Sequence, residues 1–153
     1  MEIKIIDGDI TNSSTEIIIH QCNVHTIGSG VAKALCDKWP IVKEKHKKAV
    51  STAPHMLYLL GKIQVVNVSE NKKVINLFAQ ENYGYDGRRY TSYDALDTCL
   101  HKVAQYCEKH GIKSVALPYH MSCDRGGANW NIIMEMIKQH FNDLDITIEI
   151  WKL

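Results

Sequence analysis

The run Glu16-Ile17-Ile18-Ile19-His20-Gln21-Cys22 constrains this chain more than any other. Three consecutive isoleucines leave no polar face for solvent, so the run does not alternate as a half-exposed strand would. It reads as a strand buried on both faces, the pattern of a central strand in a sheet covered by helices on each side. His20 falls inside the run and is expected to be a hydrogen-bonded core residue.

The rest of the chain supplies further strands and the helices to cover them. Glu2–Ile6 is strand-like. Gly28–Trp39 carries Val31, Leu35 and Trp39 at helical spacing. Pro40 interrupts, and Ile41–Val50 reads as a second helix or its continuation, with Lys43, Lys45, Lys47 and Lys48 as a solvated face. Lys62–Val68 and Lys73–Phe78 read as a hairpin around the polar turn Glu70-Asn71-Lys72. Glu81–Arg89 is a polar loop. Ser92 caps a long helix to about His110, with Ala95, Leu96, Cys99, Val103, Tyr106 and Cys107 on one face, and Gly111 stops it. Lys113–Leu117 is a short strand ending at Pro118. A second glycine-containing loop, His120–Ala128, leads to a helix capped by Asn129. That helix runs to about Phe141, with Ile132, Ile133, Met136 and Ile137 turned inward. Ile146–Trp151 is the last strand. Such alternation predicts an α/β layered domain with a mixed sheet.

Residues 1–153 have the length of one domain, and no linker, repeat or biased tract divides them. Lys plus Arg is 18 against 17 Asp plus Glu, a net charge of +1. That balance argues against a broad electrostatic grip on nucleic acid or an anionic membrane, and leaves room for a local anion site. With 45% hydrophobic residues, 9 Gly and 3 Pro, the composition is not that of a disordered chain. The apolar runs are too short to span a bilayer, and the N-terminal residues carry acids where a secretory signal needs a basic and then an apolar stretch. Cys22, Cys36, Cys99, Cys107 and Cys123 are odd in number and show no C-x-x-C spacing. They read as buried or loop thiols in a reducing cytoplasm, not as a zinc site or a disulfide framework. A cytoplasmic monomer without metal or cofactor is the expectation.

Two loops carry the composition of backbone anion sites. Open α/β sheets bind ligands beyond the carboxyl ends of their strands. The first loop, His20 to Val31, joins the buried strand to a helix, and Gly28 and Gly30 allow close backbone approach. The helix that follows aims free N–H groups and its positive dipole end at a phosphate; the plainer reading is an ordinary strand–helix turn. The second loop, Pro118 to Trp130, repeats the arrangement, so the two suit opposite sides of one diphosphate. Asn23 has donor and acceptor for sugar hydroxyls, and His25 is suited to acid–base work near neutral pH. Their plainer reading is a polar pair that only satisfies the backbone. Asp124 is placed to position a water or to pair with Arg125, and Cys123 carries no sequence mark of a reactive thiol. Tyr83, Tyr85, Tyr90, Arg88 and Arg89 have the chemistry to stack a base, or else form a solvent-facing loop. His46, His55, His101, His110 and His140 read as surface or structural residues.

Taken together, these motifs resemble the macrodomain family of ADP-ribose-binding modules over nearly the whole chain. Gly8-Asp9-Ile10 is similar to that family's opening motif, and Ile18 to Ala32 to its ribose and first phosphate loop. Asn76-Leu77-Phe78-Ala79-Gln80 with Arg89-Tyr90-Thr91-Ser92-Tyr93 resembles the phage and bacterial ADP-ribose-1''-phosphate phosphatase-like branch, and Pro118 to Trp130 its second phosphate loop. The resemblance implies a three-layer α/β/α fold with a central mixed sheet and a ligand derived from ADP-ribose. It places Asp9 on the adenine amino group with Ile10 beside it, and Trp151 as an adenine wall. Asn23 would hold the distal ribose. Gly28, Ser29, Gly30 and Val31 would cradle the diphosphate from one side, and Ser122, Cys123, Asp124, Arg125 and Gly126 from the other. The family's Gly-Cys-Gly in that second loop is replaced here by Ser122-Cys123-Asp124. Glycohydrolase relatives use a Lys near the position of Ala79 or Gln80 and an Asp near that of Gly126, and this chain has neither.

The leading expectation is hydrolysis at the distal ribose C1'', with ADP-ribose-1''-phosphate converted to ADP-ribose and phosphate. His25, Asn23 and Asp124 are the catalytic candidates. A non-catalytic ADP-ribose reader is the second expectation. Removal of ADP-ribose from modified protein or nucleic acid is the third.

Overall fold

The computed structural model describes residues 1–25, 27, 30–55, 57–81, 89–123 and 126–153. Its strands are β1 (Glu2–Asp7), β2 (Ile17–Asn23), β3 (Ile63–Ser69), β4 (Lys72–Gln80), β5 (Ser114–Pro118) and β6 (Thr147–Lys152). The helices are α1 (Gly30–Lys38), α2 (Pro40–Thr52), α3 (Tyr93–His110) and α4 (Trp130–Phe141), with a 3₁₀ turn at Ile10–Asn12.

The isoleucine run becomes β2, and Ile17, Ile18 and Ile19 are fully buried. One sheet forms in the order β1-β6-β5-β2-β4-β3. Every neighbouring pair is parallel except β3 and β4, which form the expected antiparallel hairpin. Side chains alternate across the sheet, so each face has its own core. Ile17, Ile19, Ile75, Leu77, Val115, Leu117, Ile148 and Ile150 pack with the apolar stripes of α3 and α4. Ile18, Cys22, Val66, Val74, Phe78 and Ala116 pack with Leu35, Cys36 and Val42 of α1 and α2. The result is a three-layer α/β/α sandwich with a mixed central sheet.

Local signals set the element ends. Ser92 Oγ accepts from Ala95 N at 3.1 Å to cap α3, and Asn129 Oδ1 accepts from Asn131 N at 2.9 Å to cap α4. The helix expected over Gly28–Trp39 and its continuation are two helices: Pro40 opens α2, and Trp39 lies between them in a non-helical conformation. One inward assignment is corrected. Ile132 is 41% exposed, because it sits about 100° around α4 from the stripe Ile133, Ile137 and Phe141. Among the described residues no helix is long and apolar enough to cross a membrane.

Candidate functional site

Because β1, β6, β5, β2 and β4 run parallel, their carboxyl ends lie at one end of the sheet. The segments that follow them are the ones singled out in the sequence. The site builds up in three parts along that end.

The first part lies at β1 and β6. Gly8 N donates to Lys152 O at 2.9 Å, which draws the end of β1 against the end of β6. Gly8 has φ +139°, and a Cβ there would stand 3.3 Å from the Trp151 ring, so the position requires glycine. Asp9, Ile10 and Trp151 are thereby brought to one corner. Asp9 Oδ1 accepts from Thr11 N at 2.9 Å and Thr11 Oγ1 at 2.8 Å. These bonds hold its carboxyl below the ordinary carboxylate value. Oδ1 is thus committed, and Oδ2 is the oxygen left to meet a ligand. Trp151 Nε1 donates to Glu149 Oε1 at 2.9 Å, and Ser13 Oγ donates to the same oxygen at 3.1 Å. Glu149 therefore fixes the indole, a role sequence reading did not assign. Its signal was a lone carboxylate among the isoleucines of β6.

The second part follows β2. The register with β4 slips between Cys22 and Asn23, so that Asn23 faces Gln80 and Ala79 is the extra residue. Asn23 Oδ1 accepts from His25 N at 2.8 Å, a local turn that fixes the pair together. Val24 N donates to Gln80 O at 3.0 Å. The His25 imidazole is exposed. Gly30 and Val31 open α1 just beyond. Thr26, Gly28 and Ser29 lie outside the described residues.

The third part follows β5 and is fastened to β2 and β4 by side chains. Gln21 of β2 stands at its centre. Its Nε2 donates to Thr91 Oγ1 at 2.8 Å and to Gln80 Oε1 at 3.0 Å, and its Oε1 accepts from Ser122 Oγ at 2.6 Å. Thr91 Oγ1 donates in turn to Ser122 O at 3.2 Å. Tyr90 N and Thr91 N both donate to Gly126 O, at 2.8 and 2.9 Å. Sequence reading missed Gln21 and the hub it makes; a polar residue inside a run otherwise buried was the only signal.

That hub settles two questions about the loop. A Cβ on Gly126 would lie 2.1 Å from Thr91 Oγ1 and 2.4 Å from Ser122 O. No side chain fits at this position without displacing Thr91 or the Ser122 carbonyl. Ser122 has φ +73°, a left-handed conformation in which glycine is the usual residue. The serine adopts a backbone shape that favours glycine, and its hydroxyl is bonded to Gln21. Cys123 is half-buried, with Sγ 3.5 Å from Met121 O. Asp124 and Arg125 lie outside the described residues, as do Tyr83, Tyr85 and Arg88. Arg89 stacks over Tyr93 at 4.2 Å.

The five cysteines are free thiols. Burial pushes Cys99 and Cys107 up to about 12 and raises Cys22 and Cys36, so these four stay protonated and unreactive. Among the described residues no group of His, Cys, Asp or Glu converges to hold a metal ion.

A mostly parallel sheet covered by helices on both faces defines an open α/β class of protein, in which ligand sites lie beyond the carboxyl ends of the strands. Comparison with solved structures narrows the class. The chain superposes on a Streptomyces coelicolor macrodomain protein with a TM-score of 0.82, at 23% identity and 98% coverage of both chains. It superposes on Thermosipho africanus DarTG in complex with ADP-ribose with a TM-score of 0.79, at 18% identity, over 99% of this chain and 42% of that one. The fold is that of the macrodomains. A Bacteroides thetaiotaomicron protein of unknown function matches with a TM-score of 0.88 and 29% identity, over 100% of this chain and 99% of that one. By sequence, an uncharacterized 17.5 kDa protein from the tk-vs intergenic region of Enterobacteria phage T4 is 29% identical, over 99% of this chain and 98% of its own length. No family model matches the chain.

Proposed function

We propose that the chain binds ADP-ribose derivatives and hydrolyses a bond at the distal ribose C1'', with ADP-ribose-1''-phosphate as the substrate. The observation that carries this reading is the layout of the site. A ligand that meets both the Asp9–Ile10–Trp151 corner at β1 and Asn23 at β2 crosses three strand spacings, roughly 14 Å, and passes the second loop on its way. An adenine, a diphosphate and a second ribose in line have that extent and that order of polarity. The ADP-ribose held by Thermosipho africanus DarTG, which has the same fold, supports the choice of ligand.

In this reading Trp151 and Ile10 flank the adenine, and Asp9 accepts from its amino group. Gly30 and Val31 with Gly28 and Ser29, and Ser122 and Cys123 with Asp124, Arg125 and Gly126, face the diphosphate through backbone N–H groups. Asn23 holds the distal ribose. Water attacks the 1''-phosphate, and the P–O bond to the ribose breaks. His25 gives a proton to the departing ribose oxygen, and Asp124 holds the attacking water. The products are ADP-ribose and inorganic phosphate.

The test is calorimetric titration with ADP-ribose, then phosphate release from ADP-ribose-1''-phosphate. The His25→Ala variant should keep its ADP-ribose affinity within a few-fold while turnover falls by about 10²–10⁴-fold. Unchanged turnover removes His25 from the mechanism.

A second reading is a non-catalytic ADP-ribose reader. The second loop favours it, since Ser122-Cys123-Asp124 stands where the resemblance implies Gly-Cys-Gly. Binding without release of phosphate, or of ADP-ribose from modified protein or DNA, decides for it. Release from modified protein or DNA alone decides for the ADP-ribosyl hydrolase instead.

A further inference from the structure

Resting on that reading, we propose that His46 is a positioning residue for Asn23, holding the strand end that presents Asn23 to the distal ribose. His46 lies on α2 between the exposed Lys45 and Lys47, yet it is only 1% exposed. Its Nε2 donates to Asn23 O at 3.0 Å, and its ring stacks on Phe78 of β4 with centroids 5.2 Å apart. The acceptor belongs to the residue at which the β2–β4 register slips. His46 thus ties the carbonyl at this irregular strand end to a helix of another layer.

The anchor for His46 is itself fixed. Gln64 Nε2 of β3 donates to Lys45 O at 2.8 Å, and Gln64 Oε1 accepts from Asn76 Nδ2 of β4 at 3.0 Å. Asn76 Oδ1 lies 2.5 Å from His20 Nε2 of β2. The bonds therefore run from β2 through β4 and β3 to α2, and return from α2 to β2 at Asn23. His20, three residues before Asn23, closes the circuit. The ring is buried at His20, Asn76 and His46. A circuit of this kind fixes α2 against the strand end from two adjacent residues, Lys45 and His46. It acts on Asn23 through the backbone, while the Asn23 side chain holds His25 N.

Two substitutions separate positioning from packing. His46→Phe keeps the ring on Phe78 and loses the donor, whereas His46→Gln loses the ring and carries an N–H of similar reach. Positioning predicts that His46→Phe loses about tenfold in ADP-ribose affinity, the scale of one well-placed hydrogen bond, while His46→Gln stays within about threefold. A packing role predicts the reverse order. Equal losses, or an unaffected His46→Phe, overturn the proposal. If His46→Phe does not fold, His46→Met is the second variant without a donor. In the wild type, the His46 ring ¹⁵N signals should also shift on saturation with ADP-ribose, although the buried ring does not reach the ligand; unmoved signals overturn the proposal.

Amide exchange at Val24 and His25 separates this inference from the reading it rests on. Both amides should exchange faster in His46→Phe than in His46→Gln, whatever the ligand. Should the wild-type protein bind no ADP-ribose, the functional reading fails, and the exchange ratio still decides whether His46 holds the strand end. Equal rates overturn it.

Discussion

Ser122 shows how a single side chain can take over a glycine position. At φ +73° it bears a left-handed strain of about 1 kcal/mol or somewhat more. Its hydroxyl contributes a bond of about the same net size to Gln21 Oε1 at 2.6 Å. Ser122→Ala keeps the strain and loses the bond, and should cost about 1–2 kcal/mol in urea denaturation. Ser122→Gly loses the bond and the strain together, and should stay within about 0.5 kcal/mol of wild type. Alanine proving as stable as glycine would show that the position carries no left-handed strain for the hydroxyl to offset. The same network leaves Gly126 without alternatives, since any side chain there would occupy the space of Thr91 Oγ1.

At the scale of elements, α3 carries the chain from the site back across the sheet. Ser92 caps it and also donates N–H to Ala79 O at 2.8 Å, tying the helix start to the end of β4. Ser92→Ala should therefore lower stability by about 1 kcal/mol, read as a lower urea midpoint at unchanged slope. Elements of this kind were legible in the chain. The isoleucine run marked β2, the polar turn marked the β3–β4 hairpin, and Ser92 and Asn129 marked two helix starts, because each signal is local. Strand order was not legible. Nothing near Glu2 or Thr147 specifies that β1 pairs with β6, since that pairing joins segments far apart in sequence. The site divides the same way. Asn23, His25 and Ser122 were marked by their loops, and the corner residues Asp9, Ile10 and Trp151 by family resemblance. Gln21, Glu149 and His46 were not marked, because their roles depend on partners from other strands or from another layer.

For the whole molecule, buried imidazoles set the response to acid. Burial holds His20 down at about 4, with His46 nearby adding to the effect and the Asn76 bond opposing it. Burial also lowers His46. An unfolded histidine titrates near 6.5. Between those values the unfolded chain takes a proton that the native His20 refuses, so stability falls as pH drops through that window. The full effect for His20 is about 3 kcal/mol, and a large part of it should be visible in urea unfolding between pH 7 and pH 5. Stability that holds level or rises over that interval would contradict the buried neutral state.

The pairing of β1 with β6 also dictates when the corner of Asp9, Ile10 and Trp151 can form during translation. A ribosome that has reached Asn142 has already joined β1 to β5 and α1 to α4 into the growing chain, but not Thr147–Lys152. Until β6 leaves the exit tunnel, β1 has no neighbouring strand and the corner of Asp9 and Ile10 lacks the Trp151 indole. Under the proposed reading, a chain truncated at Asn142 should therefore fail to retain ADP-ribose in a calorimetric titration, although it already contains β1 to β5.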